Sequence, residues 1–270
     1  MSLRSGARAF PTLLRIGFAD AVAYRAEMLV WVLATTMPLV MLALWTTVAR
    51  EAPDGSVGRY GQAQFTAYFL STFIVRQLTG SWVFYEMNFE VRQGTLAMRL
   101  LRPVHPLLAY TAENLAAIPM RALVSLPVAV AALCLFASSS MTRDPVLWGL
   151  WIASVAGAWA LTLLVNFAVG CSAFFMESSL KLMDLWLVLF FVLSGYIIPV
   201  DLFPPGLRIA IDWLPFRYQL GVPVELMTGA CDHGLAMTLL ARQWAWVAAA
   251  SMASAWMWRQ GLRRFAAYGG

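Results

Sequence analysis

Four charged residues interrupt otherwise apolar stretches of this 270-residue chain: Arg76, Glu86, Glu113 and Arg121. Charges at such positions do chemistry as ion pairs, ion sites or relays. An arginine at the centre of a membrane span costs about 2.5–3.5 kcal/mol on insertion scales unless it is paired or hydrated. Arg76 is therefore expected to face protein or water, against a carboxylate of this chain or of a partner. Glu113 and Arg121 are eight residues apart, which puts them near one helical face. A Glu113–Arg121 pair, or Glu86–Arg121 across helices, is the expected arrangement, and such a pair serves equally well to fix helix packing. Other chemistries lack their parts. The two histidines, His105 and His233, lie in loops, so no apolar segment offers a base to a serine nucleophile. There is no H-E-x-x-H cluster and no G-x-x-x-x-G-K-[ST] phosphate loop. Cys134, Cys171 and Cys231 are isolated and suggest neither disulfides nor zinc. A membrane enzyme is the weakest reading, and any hydrolysis through a Walker-type site belongs to a partner protein.

A second cluster runs from Glu90 to Pro106: Glu90-Val-Arg-Gln-Gly94-Thr95-Leu96-Ala-Met-Arg99-Leu100-Leu101-Arg102-Pro103-Val-His-Pro. Gly94 and Thr95 can start a short helix, with Thr95 as N-cap, and Pro103 stops it. Leu96, Leu100 and Leu101 are expected on one face, ringed by Arg92, Arg99 and Arg102. An apolar ridge with a basic rim suits docking into a groove on another protein; a helix lying on the membrane surface is the alternative. Glu90 is expected to brace the loop base.

The elements that must carry these clusters are membrane spans. Hydrophobic residues make up 61% and charged residues 12%, against roughly 45–50% and 25% in soluble domains. Residues 28–49, 122–142, 146–176, 185–200 and 243–258 contain no charged side chain. Hydrocarbon admits only helices or closed barrels, and these blocks lack the alternation of barrel strands. The expectation is an all-α membrane protein with six transmembrane helices, near 28–49, 63–87, 115–136, 146–172, 182–200 and 241–258. No secretory signal is legible in the first 27 residues. Residues 8–25 place Phe10, Leu13, Leu14, Phe18, Ala21 and Val22 at helical spacing, which predicts an amphipathic interfacial helix within the cytoplasmic segment 1–27. With the N-terminus inside, cytoplasmic segments hold Arg4, Arg8, Arg15, Arg25, Arg92, Arg99, Arg102, Lys181, Arg259, Arg263 and Arg264, against Arg50, Arg59, Arg143, Arg208, Arg217 and Arg242 outside. That bias predicts both termini in the cytoplasm. Residues 88–114 form the cytoplasmic loop. Residues 201–240 form an extracytoplasmic loop of short re-entrant or interfacial helices, with Trp213, Phe216 and Tyr218 at headgroup level. Glu177, Lys181 and Asp184 read as a solvated charge ladder. Ala153, Gly157, Ala160 and the run Ala248–Ala255 allow close helix packing. The net charge of +5 sits at span ends, which favours lipid headgroups over nucleic acid as partner.

The Gly94-Thr95-Leu96 sequence after Glu90, then Leu100-Leu101-Arg102-Pro103, resembles the coupling segment of ABC-2 type permeases. Residues 75–82, 101–107 and 112–114 are similar to a bacterial six-span branch whose paired permeases are often encoded beside one ATPase. Ala97 stands where that pattern often has an acidic residue. The resemblance covers most of the chain, which is expected to act as one permease domain, 1–270, in the bacterial inner membrane. It implies export of an amphipathic or lipid-like compound, with an organic cation as one alternative. It further implies a second, related permease, and a cytoplasmic ATPase dimer that holds ATP and Mg while this chain binds no cofactor. Glu90, Gly94, Thr95, Leu96, Arg99, Leu100, Leu101, Arg102 and Pro103 would couple the two. The alternative function is a stand-alone ion-coupled transporter using Arg76, Glu86, Glu113 and Arg121.

Overall fold

The computed structural model describes residues 3–265, without the side chains of residues 3–7, 27 and 28; Arg4 and Met28, used above for topology, therefore lie outside the described side chains. The chain is nearly all helix. Helix α1 spans Leu3–Ala23, α2 Arg25–Ala34, α3 Met37–Glu51, α4 Gln62–Thr79, α5 Val83–Gln93, α6 Leu96–Leu100, α7 Pro106–Phe136, α8 Pro145–Cys171, α9 Ser179–Leu193, α10 Pro205–Asp212, α11 Pro215–Gln219, α12 Gly221–Met227 and α13 His233–Leu262. A small antiparallel hairpin, β1 (Ser56–Val57) and β2 (Tyr60–Gly61), joins α3 to α4.

The long helices start where side chains satisfy their first amides. The His105 ring accepts from the Leu107 amide at 3.1 Å, with Pro106 opening α7. Asp144 accepts from Val146 at 2.8 Å, with Pro145 opening α8. Asp232 accepts from Leu235 at 2.8 Å ahead of α13.

Among the described residues, three segments are long and apolar enough to cross a membrane by length and composition: Leu29–Glu51, Pro106–Phe136 and Pro145–Phe174. The first is two helices in series. Thr35 turns its hydroxyl back onto Val32 O at 2.9 Å, the helix breaks, and Pro38 helps open the next. The remaining expected spans differ from the sequence reading. Residues 63–87 are not one helix: α4 ends at Thr79, and Gly80–Trp82 separate it from α5. Residues 182–200 are helical only to Leu193. Gly195 then takes φ +89°, and its carbonyl accepts from the Tyr68 hydroxyl at 2.8 Å. At 1.5 Å per residue α9 is only about 22 Å long. α13 has the length of a span but carries Arg242, Gln243, Arg259 and Gln260.

α13 lies along α8. Gly157 gives room for Gln243, whose amide donates to Ser154 O at 3.0 Å and Tyr218 O at 2.7 Å. Ser254 donates to Leu164 O at 2.9 Å. The small residues therefore do allow a close approach, with Val247, Ala250 and Ser254 on the packed stripe. α1 packs on α7 through Phe10, Leu13, Leu14, Gly17 and Ala21, while Phe18 and Val22 stay exposed. Gly17 meets Ala116 so closely that a Cβ there would stand 3.0 Å from it.

The segment after α9 is the largest departure from an outer loop. Pro215–Met227, carrying α11 and α12, is buried throughout. Phe216 and Tyr218 are buried in the core; Trp213 alone of the three is exposed. Burial of so much backbone is met by a charged clasp: Arg217 Nε donates to Glu225 Oε1 at 3.1 Å and Nη2 to Oε2 at 2.6 Å, with Asp212 also bound to Arg217. Outside this core, the hairpin is tied to the turn after α9, where Tyr60 donates to Asp201 at 3.1 Å and Arg59 pairs with the same carboxylate.

Candidate functional site

The segment between α5 and α7 is held by three acidic and basic side chains. Gly94 closes α5 at φ 73°, a left-handed turn that glycine enters without strain. It therefore ends one helix and does not open the next. Thr95 stands at the N-cap of α6 but its side chain makes no capping bond. Arg99 on α6 reaches back into the protein. Its Nη2 lies 2.7 Å from Glu90 of α5 and its Nη1 2.8 Å from Glu113 of α7. Glu90 also accepts from the Tyr110 hydroxyl at 2.7 Å, and the guanidinium sits 4.3 Å over the Tyr110 ring. Partial burial works against the Arg99 charge, yet Glu113 and Glu90 outweigh it and raise its pKa above the ordinary value. Arg92 adds a brace to Met176 O in the turn before α9.

This geometry corrects the expected ridge. Leu96 is fully buried among Val83, Met87, Val91 and Tyr110, and Leu100 is half-buried against the same cluster. Leu101, one position and about 100° further round the helix, points away from their face and is 80% exposed, with Met98 at 68%. Thr95, Met98, Leu101, Arg102 and Pro103 form the outward face. Arg99 is an internal strut and not a rim charge. Glu90 does brace the base of the loop, through Arg99.

The intramembrane pairs also differ. Glu113 binds Arg99, and Arg121 makes no ion pair among the described residues. Arg121 is buried on α7 and donates from Nη1 to Gly80 O at 2.9 Å, at the break between α4 and α5. Arg76, on the last turn of α4, lies 5.5 Å from the Phe190 ring and interacts with the Tyr196 hydroxyl. Among the described residues it meets no carboxylate. The Nε atoms of both arginines are sealed and unpartnered. A Cβ on Gly80 would stand 2.8 Å from Arg121 Nη1 and 3.6 Å from Arg76 Nη1, so the two cations flank one glycine. Glu86 is exposed on the wall of an open cavity of about 460 Å³ lined from α1, α2, α5, α6 and α7. Arg99, Glu113 and Arg121 line it too.

Sequence spacing missed the Arg217–Glu225 pair, although eight residues within a proline-cut segment was a signal of the same kind as Glu113–Arg121. Glu177 precedes α9, so it is not part of a helical ladder, and Glu177, Lys181 and Asp184 are all exposed. No group of three metal-ligating residues occurs among the described residues.

Long apolar helices in series, with a braced polar segment between α5 and α7, indicate a multi-pass membrane protein. The family model described as "ABC-2 family transporter protein" matches residues 30–269, and the chain belongs to that family. Such permeases are membrane transport components, not themselves catalytic, and normally work with an ABC ATPase. Neither curated proteins nor solved structures gave a match.

Proposed function

We propose that this chain is the membrane-spanning subunit of an ATP-binding cassette exporter, moving an amphipathic compound out of the cytoplasm on the energy of a partner ATPase. The observation that carries this reading is the braced segment: α6 is clamped to α5 and α7 through Arg99, so a push on its exposed face reaches two long helices together. The ATPase dimer, holding ATP and Mg, docks on Met98, Leu101 and Arg102, and a second permease completes the pathway. Six crossings follow if α4, the short α9 with its buried re-entrant continuation, and α13 add to the three clear spans. The arginine asymmetry supports cytoplasmic termini in a bacterial inner membrane, with α1 at the inner interface. The test is reconstitution of the purified chain into vesicles with and without its ATPase. Extrusion that needs both ATP and the ATPase is the expected result. Transport driven by an ion gradient with this chain alone would support the ion-coupled alternative and overturn the proposal.

A further inference from the structure

The coupling segment occupies Glu90, Arg99 and Glu113 but leaves three charged side chains on the cavity wall without a salt bridge among the described residues: Asp20, Glu86 and Arg121. Arg76 stands directly behind Arg121 across Gly80. A smaller cavity beside Arg76 shares Trp82 and Tyr85 with the larger one, so the two adjoin at those side chains. The charges are sorted along this space. Glu86 lies within electrostatic reach of Glu113, Glu90 and Arg99, where acids outnumber bases. At the other end are two arginines with sealed Nε atoms, and Arg121 donates to the Gly80 carbonyl. Between them stand aromatic rings: Trp31 and Trp82 at 4.1 Å, with Tyr85 at 6.2 Å from Trp82. Rings beside a carboxylate favour an ammonium, and buried guanidiniums without carboxylates favour a phosphate. A bare anion would face Glu86, and a bare cation would face two arginines; a ligand with both charges satisfies both ends.

We propose that this cavity binds the headgroup of a zwitterionic amphiphile, an ammonium phosphate of the phosphatidylethanolamine type, with its phosphate against Arg121 and its ammonium against Glu86 among Trp31, Trp82 and Tyr85. The site deepens the transport reading by naming a ligand class, but binding is measured without ATP or ATPase, so its failure is separate from failure of that reading.

The full chain in dodecyl maltoside would be titrated with dihexanoyl phosphatidylethanolamine, dihexanoyl phosphatidic acid and hexylammonium. The zwitterion should bind about tenfold or more tighter than either single charge, the increment of one further charge-assisted contact. Glu86→Gln should weaken the zwitterion and hexylammonium about tenfold while leaving phosphatidic acid unchanged or tighter. Arg121→Gln should weaken the zwitterion and phosphatidic acid and spare hexylammonium. If Arg121→Gln fails to fold, the exposed Glu86→Gln decides alone. Equal affinity for all three ligands, or equal loss of all three in Glu86→Gln, overturns the proposal. So does an Arg121→Gln chain that separates from its partner permease yet binds the zwitterion normally, since that result assigns the arginine to a partner's carboxylate.

Discussion

Arg99→Ala is the substitution that separates a strut from a rim contact. In the protein its guanidinium bridges Glu90 and Glu113, with side-chain exposures of 17% for Arg99, 17% for Glu90 and 34% for Glu113. Exposed ion pairs contribute about 0.2–1 kcal/mol, whereas breaking a buried one costs about 3–5 kcal/mol because the remaining charge is stranded. The partial exposure here places the loss near 2 kcal/mol, and two acids are left facing one another. For a chain of this size that corresponds to a fall of roughly 5 °C in Tm. The assay is thermal unfolding in detergent at about 0.05 and 0.5 M salt, without ATPase. A strut shielded from solvent loses little strength at high salt, whereas a surface pair is largely screened. Arg99→Ala together with Glu90→Gln should cost less than the sum of the two single changes. A Tm within 1 °C of the parent at low salt, with additive effects, would refute the strut.

Other consequences follow from the same structure. Arg217→Leu and Glu225→Leu should each be strongly destabilising, about 3–5 kcal/mol, while the double variant recovers much of the loss because only the part-exposed Asp212 is left without its partner; thermal unfolding of the three chains tests this. Gly195→Ala should destabilise by more than 1 kcal/mol, since the residue sits at φ +89° and a Cβ would collide with the Tyr68 hydroxyl. Cysteines placed at Asp54 and Gly234, in a background lacking the three native cysteines, should react with an impermeant reagent added outside, and one at Leu101 should not; strong outside labelling at Leu101 would reverse the orientation.

Apolar block length made the membrane helices legible: α8 begins at Pro145, beside the expected start at 146, whereas α7 begins at Pro106, nine residues before the expected start at 115 and inside the expected loop. The breaks were not legible. Residues 63–87 read as one span because nothing apolar changes at Gly80–Trp82; the interruption depends on Arg121, 41 positions further on, bonding the Gly80 carbonyl. Residues 182–200 likewise read as continuous, but Tyr68 claims the Gly195 carbonyl from another helix. Pairing of charges failed for a related reason. Glu113 and Arg121 share a helical face, yet a turn of chain folded under α5 brings Arg99 nearer, and local spacing cannot see that competitor. A short helix was expected after Gly94 and α6 is one, but a five-residue helix has two apolar sides, and only tertiary packing shows that Leu96 belongs to the inner one.

The central claim is that the outward face of α6 transmits force between this permease and an ATPase. The direct measurement is ATPase co-purification, with ATP hydrolysis by the assembled complex, for Met98→Asp and Leu101→Asp beside Asp54→Ala in the exposed loop after α3. Both apolar side chains are exposed here, so the variants should fold with unchanged Tm. Interface anchors commonly cost more than about 1–2 kcal/mol when altered, so retained ATPase should fall roughly tenfold while Asp54→Ala stays at the parent level. Full ATPase retention and parent-level hydrolysis in both variants would contradict the account.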